Sequence, residues 1–284
     1  MPLVPLRTLL DDAERGKYAV GAFNCNNMEI VQAIVEAADE LRAPVIIQAS
    51  QGAIKYAGLH YVVGLAKLAA DATTVPVALH LDHGTDYATV IACIRAGFTS
   101  VMFDGSQWPK EENIARTKEI VKVARAVGVS VEGEIGKIGG VEDDIAVDER
   151  DAMLTPVPDA IEFFEATGVD ALAMSFGTAH GHYKLPPKLA LDRIAEVHQR
   201  TGAYLVMHGG SGVPDDDVRK GIAAGIRKIN IDTELREAFL GEVRNQLNAK
   251  PTEIDPRKIL GPAKSVLKGK LKEKMQLFGC AGKA

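Results

Sequence analysis

The chain has little of what several protein classes require. Only three of its 284 residues are cysteine (Cys25, Cys93 and Cys280), and no C-x-x-C occurs. An odd, scattered set does not make a disulfide scaffold, and a reducing, cytoplasmic compartment is expected. Aromatic residues contribute only 5%. No apolar run reaches the ~18 residues of a membrane span, so no membrane association is expected. The opening MPLVPLRTLLDDAERG lacks a basic segment followed by an uninterrupted apolar stretch, and no signal peptide is read there. Basic excess is missing too: 33 Lys+Arg against 38 Asp+Glu leave a formal charge of −5. A general phosphate-backbone binder needs the opposite balance to displace counterions, so no nucleic-acid partner is expected.

What is present is a globular composition, 46% hydrophobic and 25% charged, on a chain near the ~250 residues of a (β/α)8 barrel. Short apolar runs occur at 19–23, 45–48, 77–81, 101–103, 129–132, 171–176, 204–207 and 228–231. Segments with helical spacing alternate with them, as in Ile30, Ala33, Ile34, Ala37 and Ala38. Gly97, Gly128, Gly168, Gly202 and Gly225 each follow a helical segment and precede a strand, where a left-handed helix stop favours glycine. An open doubly wound sheet alternates in the same way. Eight units with no G-x-G-x-x-G after the first strand favour closure. The expectation is an α/β fold, a (β/α)8 TIM barrel over about 1–248 with a C-terminal helical extension over about 249–284, in one catalytic domain.

In such a barrel, chemistry collects where strands end. Asn24, Ser50, Asp82 with His83, Asp104, Glu132 with Glu134, His180, His208 and Asn230 with Asp232 all fall there. In HLDHG, alternation puts His80 and Asp82 on one face, with His83 turning off the end. Three histidines (His83, His180 and His208) closing three strands would face one mouth, and three imidazoles with an open position make a catalytic zinc site. His182 is left as a loop residue. The run VEGEIGKIGGVEDD leads into ~20 residues before the next helix, a length that is usually functional or disordered. Glu142, flanked by Gly139 and Gly140, suits a lid acid, and the same stretch reads equally as a solvated acidic loop. HGGSG (208–212) and NIDT (230–233) follow the seventh and eighth strands, where barrels often bind phosphate.

HLDHG, VEGEIGKIGGVEDD, GTAHGHYK, HGGSGVP, KINIDTE and DPRKILGPAK…FGCAGKA resemble, in order and over essentially the whole chain, the class II zinc-dependent ketose-bisphosphate aldolases. The resemblance implies a lyase that cleaves fructose 1,6-bisphosphate through a zinc-stabilised enediolate, with tagatose 1,6-bisphosphate as the alternative substrate. It implies His83, His180 and His208 as zinc ligands, with Asp104 and Glu134 near the metal in an alternative resting position. Asp82 would exchange the proton of the C4 hydroxyl and Glu142 that of the enolising carbon. Gly181, Lys184, Gly209, Gly210, Ser211, Asn230, Asp232 and Thr233 match the dihydroxyacetone phosphate site, beside which some relatives hold sodium or potassium. Asn24 and Ser50 match pocket positions. Arg257 matches a phosphate-gripping arginine from a neighbouring subunit, which implies a homodimer or homotetramer.

VEGE where relatives often have VEAE, and His182 itself, depart from the pattern without touching the triad or the two acids. A Schiff-base aldolase would need a lysine at the mouth; the sixth strand has none, and Lys228 lies at the start of its strand. A barrel hydrolase would want H-x-H on the first strand, where Phe23–Asn24–Cys25 stands. A non-catalytic sugar-phosphate-binding subunit is the remote alternative.

Overall fold

The computed structural model describes residues 3–142, 145–147, 154–183 and 187–284. Lys184, expected at the phosphate site, and Asp143 and Asp144 lie outside them.

Eight strands close into a parallel barrel: β1 (Val20–Asn24), β2 (Val45–Ser50), β3 (Val77–Gly84), β4 (Ser100–Phe103), β5 (Ser130–Ile135), β8 (Ala171–Met174), β10 (Tyr204–Met207) and β11 (Ile226–Ile231), with β11 pairing back to β1. Each strand pairs with its neighbours in chain order, as right-handed β–helix–β units require. Almost every strand residue is buried, because helices cover the outside and side chains fill the inside. The closed form thus prevails over the open sheet. All five glycines expected to stop helices have positive φ, from 67° at Gly168 to 131° at Gly225.

Among the described residues, three additions to the eightfold repeat stand out, besides a short extra helix at Gln51–Ala57 after β2. Helix α1 (Leu6–Gly16) buries Leu6, Leu9, Leu10 and Ala13, an i, i+3, i+4, i+7 stripe that was legible but lies before the first strand. It closes the N-terminal end of the barrel: Val4 N–H donates to Val77 O, Arg7 N–H to Ser130 Oγ, and the Tyr204 hydroxyl to Asp11. The stretch after β5 is not a structureless loop. There β6 (Gly139–Glu142) pairs antiparallel with β7 (Ile145–Val147) and parallel with β9 (Ala179–His180).

The third element is the tail. Following α10 (Thr233–Ala249), α11 (Arg257–Leu277) starts five residues before Pro262 and continues through it. Its buried Ile259, Ala263, Leu267, Leu271 and Met275 recur every four residues and pack against α10 and α2 (Met28–Leu41). Lys264 reaches Glu36 at 2.7 Å, and Lys268 and Lys272 reach Glu40 at 2.7 and 2.9 Å. Exposed pairs of this kind contribute about 0–1 kcal/mol each, so the apolar row carries the attachment. Leu271→Ala should therefore cost about 2–5 kcal/mol of global stability, read as a lower urea midpoint. An unchanged midpoint would mean the tail is a loose appendage.

Candidate active site

The mouth is organised by an irregularity in β3. Strict alternation sends His80 and Asp82 inward and His83 outward. The pairing of β3 with β4 shifts register between Leu81 and Gly84, and His83 takes a left-handed φ of 48°. Such a backbone costs a non-glycine residue about 1–3 kcal/mol. It re-aims the His83 ring into the barrel, as bulges beside functional sites do. There it meets His180 from β9 and His208 just past β10, with ring centroids 5.0, 4.8 and 5.6 Å apart. Donor atoms of the three buried residues all lie within 4.8 Å of one another.

Carboxylates fix which nitrogens face inward. His83 Nδ1 lies 3.0 Å from Asp104 Oδ2, and His208 Nε2 lies 2.9 Å from Glu132 Oε1. A carboxylate accepts, so these nitrogens carry the protons, and the lone pairs of His83 Nε2 and His208 Nδ1 face each other at 3.1 Å. A cation between them would satisfy both, with Asn230 Nδ2 also 3.2 Å from His208 Nδ1. Burial first of all pushes His180 and His208 well below the ordinary histidine range, which favours neutral rings with lone pairs to give. The donor set fits a divalent metal of the kind histidine and carboxylate second partners hold.

A second group, His83, Asp104 and Glu134, also has its donor atoms within 4.8 Å. Its two acids are pushed apart. Burial opposes ionisation of Asp104, but hydrogen bonds from His83 and Ser106 outweigh it and hold the carboxyl below its usual range. Glu134, wholly buried and then opposed by the charge of Asp104, is raised well above its own. The two shifts run in opposite directions, so ionisation of Asp104 is favoured over that of Glu134.

Asp82 is gripped by amides. Asn24 Nδ2 donates to its Oδ2 at 2.9 Å, Gln48 Nε2 to the same oxygen at 3.2 Å, and Asn230 Nδ2 to Oδ1 at 3.3 Å. Gln48 was not singled out from sequence. Its signal was weak: a polar residue closing the apolar run 45–48, on the same face as Ser50. Ser50 pairs in register with Asp82, and its Oγ accepts from Ala53 N–H at the start of α3 (Gln51–Ala57).

Beside the triad, a cavity is lined by His180, Gly181, Gly209, Ser211, Asn230, Asp232 and Thr233. Gly210 lies next to it, its N–H donating to Asn230 O at 3.1 Å. Thr233 opens α10 at the cavity, and the next N–H groups of that helix are already engaged, Glu234 with Ser211 Oγ and Leu235 and Arg236 with Asp232 O. Gly209 is required there: its φ is 61°, and a Cβ would sit 2.1 Å from Ala179 O. Gly140 is required for the same reason, since at φ 100° a Cβ would meet His180 O at 2.1 Å. That close approach docks β6 on β9 and carries the backbone of Glu142 to two residues beyond the partner of His180. Arg257 is not brought to this mouth within one chain; it is exposed and pairs with Asp255 at 2.9 Å. His182 faces outward, 3.4 Å from Glu237.

A family model for class II fructose-bisphosphate aldolase matches residues 4–283. The chain belongs to that family. It is 46% identical to a sulfofructosephosphate aldolase of Alkalicoccus urumqiensis, over all of this chain and 99% of that one. It is 45% identical to a fructose-bisphosphate aldolase of Thermus caldophilus, over 97% of this chain and 98% of the other. Among solved structures, the YdjI aldolase of Escherichia coli K12 superposes with a TM-score of 0.87 at 32% identity, over 99% of both chains. The class II aldolase fold expected from sequence is thus the fold observed.

The buried groups set a pH dependence for the metal-free aldolase chain. His80, His180 and His208 are all pushed down, by burial first, and refuse protons that an unfolded chain takes up below about 6.5. Glu134 is raised and keeps one proton that the unfolded chain releases above about 4.3. Three groups outweigh one, so unfolding takes up protons between those limits. Stability should fall as pH drops from about 7 toward 5. Urea midpoints of metal-stripped protein at the two ends test this, and a higher midpoint at the lower pH contradicts it.

Proposed function

We propose that the chain is a zinc-dependent aldolase that reversibly cleaves fructose 1,6-bisphosphate into dihydroxyacetone phosphate and glyceraldehyde 3-phosphate. The observation that carries this reading is one mouth holding three clustered imidazoles, an amide-gripped carboxylate and a small glycine-lined cavity. His83, His180 and His208 would hold the metal, with Asp104 and Glu134 as the alternative ligands beside His83. When bound, zinc supplies a Lewis acid for the carbonyl and adjacent oxygen of the ketose.

The remaining steps belong to the chain. The 209–212 loop and the start of α10, with Ser211, Asp232 and Thr233, would seat one phosphate beside the triad. Lys184 and a sodium or potassium ion would complete that seat. Positioning the reacting carbon in this way contributes up to ~7–11 kcal/mol. Asp82, oriented by Asn24, Gln48 and Asn230, takes the proton of the C4 hydroxyl as the C3–C4 bond breaks. The aldose phosphate leaves, and Glu142, carried in on β6, returns a proton to the three-carbon fragment. Arg257 would serve the far phosphate from a neighbouring subunit, so the working unit is a homo-oligomer in which barrel and tail act as one catalytic body.

A sulfonated fructose phosphate is the second reading, favoured by the 46% identical relative of that name. The ratios of kcat/KM for fructose 1,6-bisphosphate, tagatose 1,6-bisphosphate and sulfofructose phosphate decide among the substrates. Asp82→Ala should lower kcat by about 10²–10⁴ while metal content stays at the parent level; parental turnover in that variant refutes the role. His208→Ala should emerge from purification without metal, and unchanged content by elemental analysis counts against the triad.

A further inference from the structure

Below the mouth, the barrel interior is polar where branched apolar side chains are the rule. Residues two positions back along the same strand faces form a lower layer: His80 under Asp82, Glu132 under Glu134, Lys228 under Asn230. All three are wholly buried. Lys228, expected near the start of its strand, is the third residue of β11 and reaches inward. Its Nζ donates to Glu132 Oε2 at 2.7 Å and lies 3.4 Å from His80 Nε2. Burial, and then the Lys228 charge, keep His80 neutral. Its Nε2 therefore accepts from the ammonium, and its Nδ1–H donates to Ser100 Oγ at 2.8 Å. The other oxygen of Glu132, Oε1, receives His208 Nε2 at 2.9 Å.

We propose that Lys228 and Glu132 are a positioning pair that sets the tautomer of His208, keeping its proton on Nε2 and its Nδ1 lone pair aimed at the metal. This rests on the reading of the triad as a metal site. An ammonium has donors only, so whichever atom of residue 132 faces it must accept. A carboxylate offers an acceptor to both neighbours at once. An amide cannot. With Lys228 in place, the oxygen of a glutamine at 132 is drawn to the ammonium, and its NH₂ faces His208 Nε2. That nitrogen must then accept, the proton moves to Nδ1, and the nitrogen aimed into the site has no lone pair to give. Without the ammonium, the amide can turn its oxygen back to His208.

The test compares zinc affinity, by competition with a chelator, in the parent, Glu132→Gln and the double variant Glu132→Gln/Lys228→Met, with urea midpoints as a check on folding. Glu132→Gln should bind zinc about 10–100-fold more weakly, and the double variant should regain most of that loss. A role in packing alone predicts the reverse, because a second change in a buried layer adds to the damage. Ring-nitrogen NMR of metal-free Glu132→Gln reads the switch directly, as His208 passing from Nε2–H to Nδ1–H. Unchanged affinity or an unchanged tautomer in the single variant overturns the proposal, as does a double variant that binds no better. A parent that takes up no divalent metal overturns the metal reading and this inference together; a parent that binds zinc while the variants behave in any of those ways overturns this inference alone.

Discussion

The ion pair between Lys228 and Glu132, 2.7 Å long and wholly buried at the axis of the barrel, is the interaction on which the layers above it rest. Taking either charge out of water costs several kcal/mol, and a lone buried charge is worse than a pair. The pair is tolerated because both oxygens of Glu132 and the ammonium have partners: His208 on one side, His80 on the other, with Ser100 closing the chain. A polar layer satisfied in this way has few alternative arrangements. It therefore offers the mouth a rigid floor, which a core of interchangeable aliphatic side chains would not.

Above that floor the chemistry is divided by environment more than by residue type. Asp104 and Glu134 are both buried acids, yet hydrogen bonds from His83 and Ser106 favour the ionised form of one while burial and the first acid disfavour it in the other. Asp82 is held in a defined direction by three side-chain amides. The net charge of −5 provides no general attraction for a doubly phosphorylated sugar. Glycines at 140 and 209 let the backbone close in tightly on 179–180 beside the triad.

Much of this was legible before the fold was known. The eight apolar runs, the glycine stops and the histidines closing three of those runs were local patterns, and local patterns survive in sequence. His83 was placed at the mouth by motif, although strict alternation would have pointed it outward. Only the register shift and left-handed backbone explain how it turns in. Gln48 passed unremarked because one polar residue at the end of an apolar run is common. The hairpin of β6 and β7 looked like a loop because its pairing partner, β9, lies about forty residues further along. Lys228 was set aside as too early in its strand, since depth within a barrel depends on strand tilt and register, which no single strand reveals.

By itself the sequence determined the repeat, the residue types at the strand ends and the spacing that puts Asp82 beside His83. These follow from period-two and period-3.6 patterns that act over a few residues. Tertiary structure alone decided which nitrogens of His83 and His208 face the centre, which of two adjacent acids is the harder to ionise, and that a lysine from β11 lies under a glutamate from β5. Those outcomes depend on distances between residues far apart in the chain and on the exclusion of water between them. Closing the barrel creates both at once.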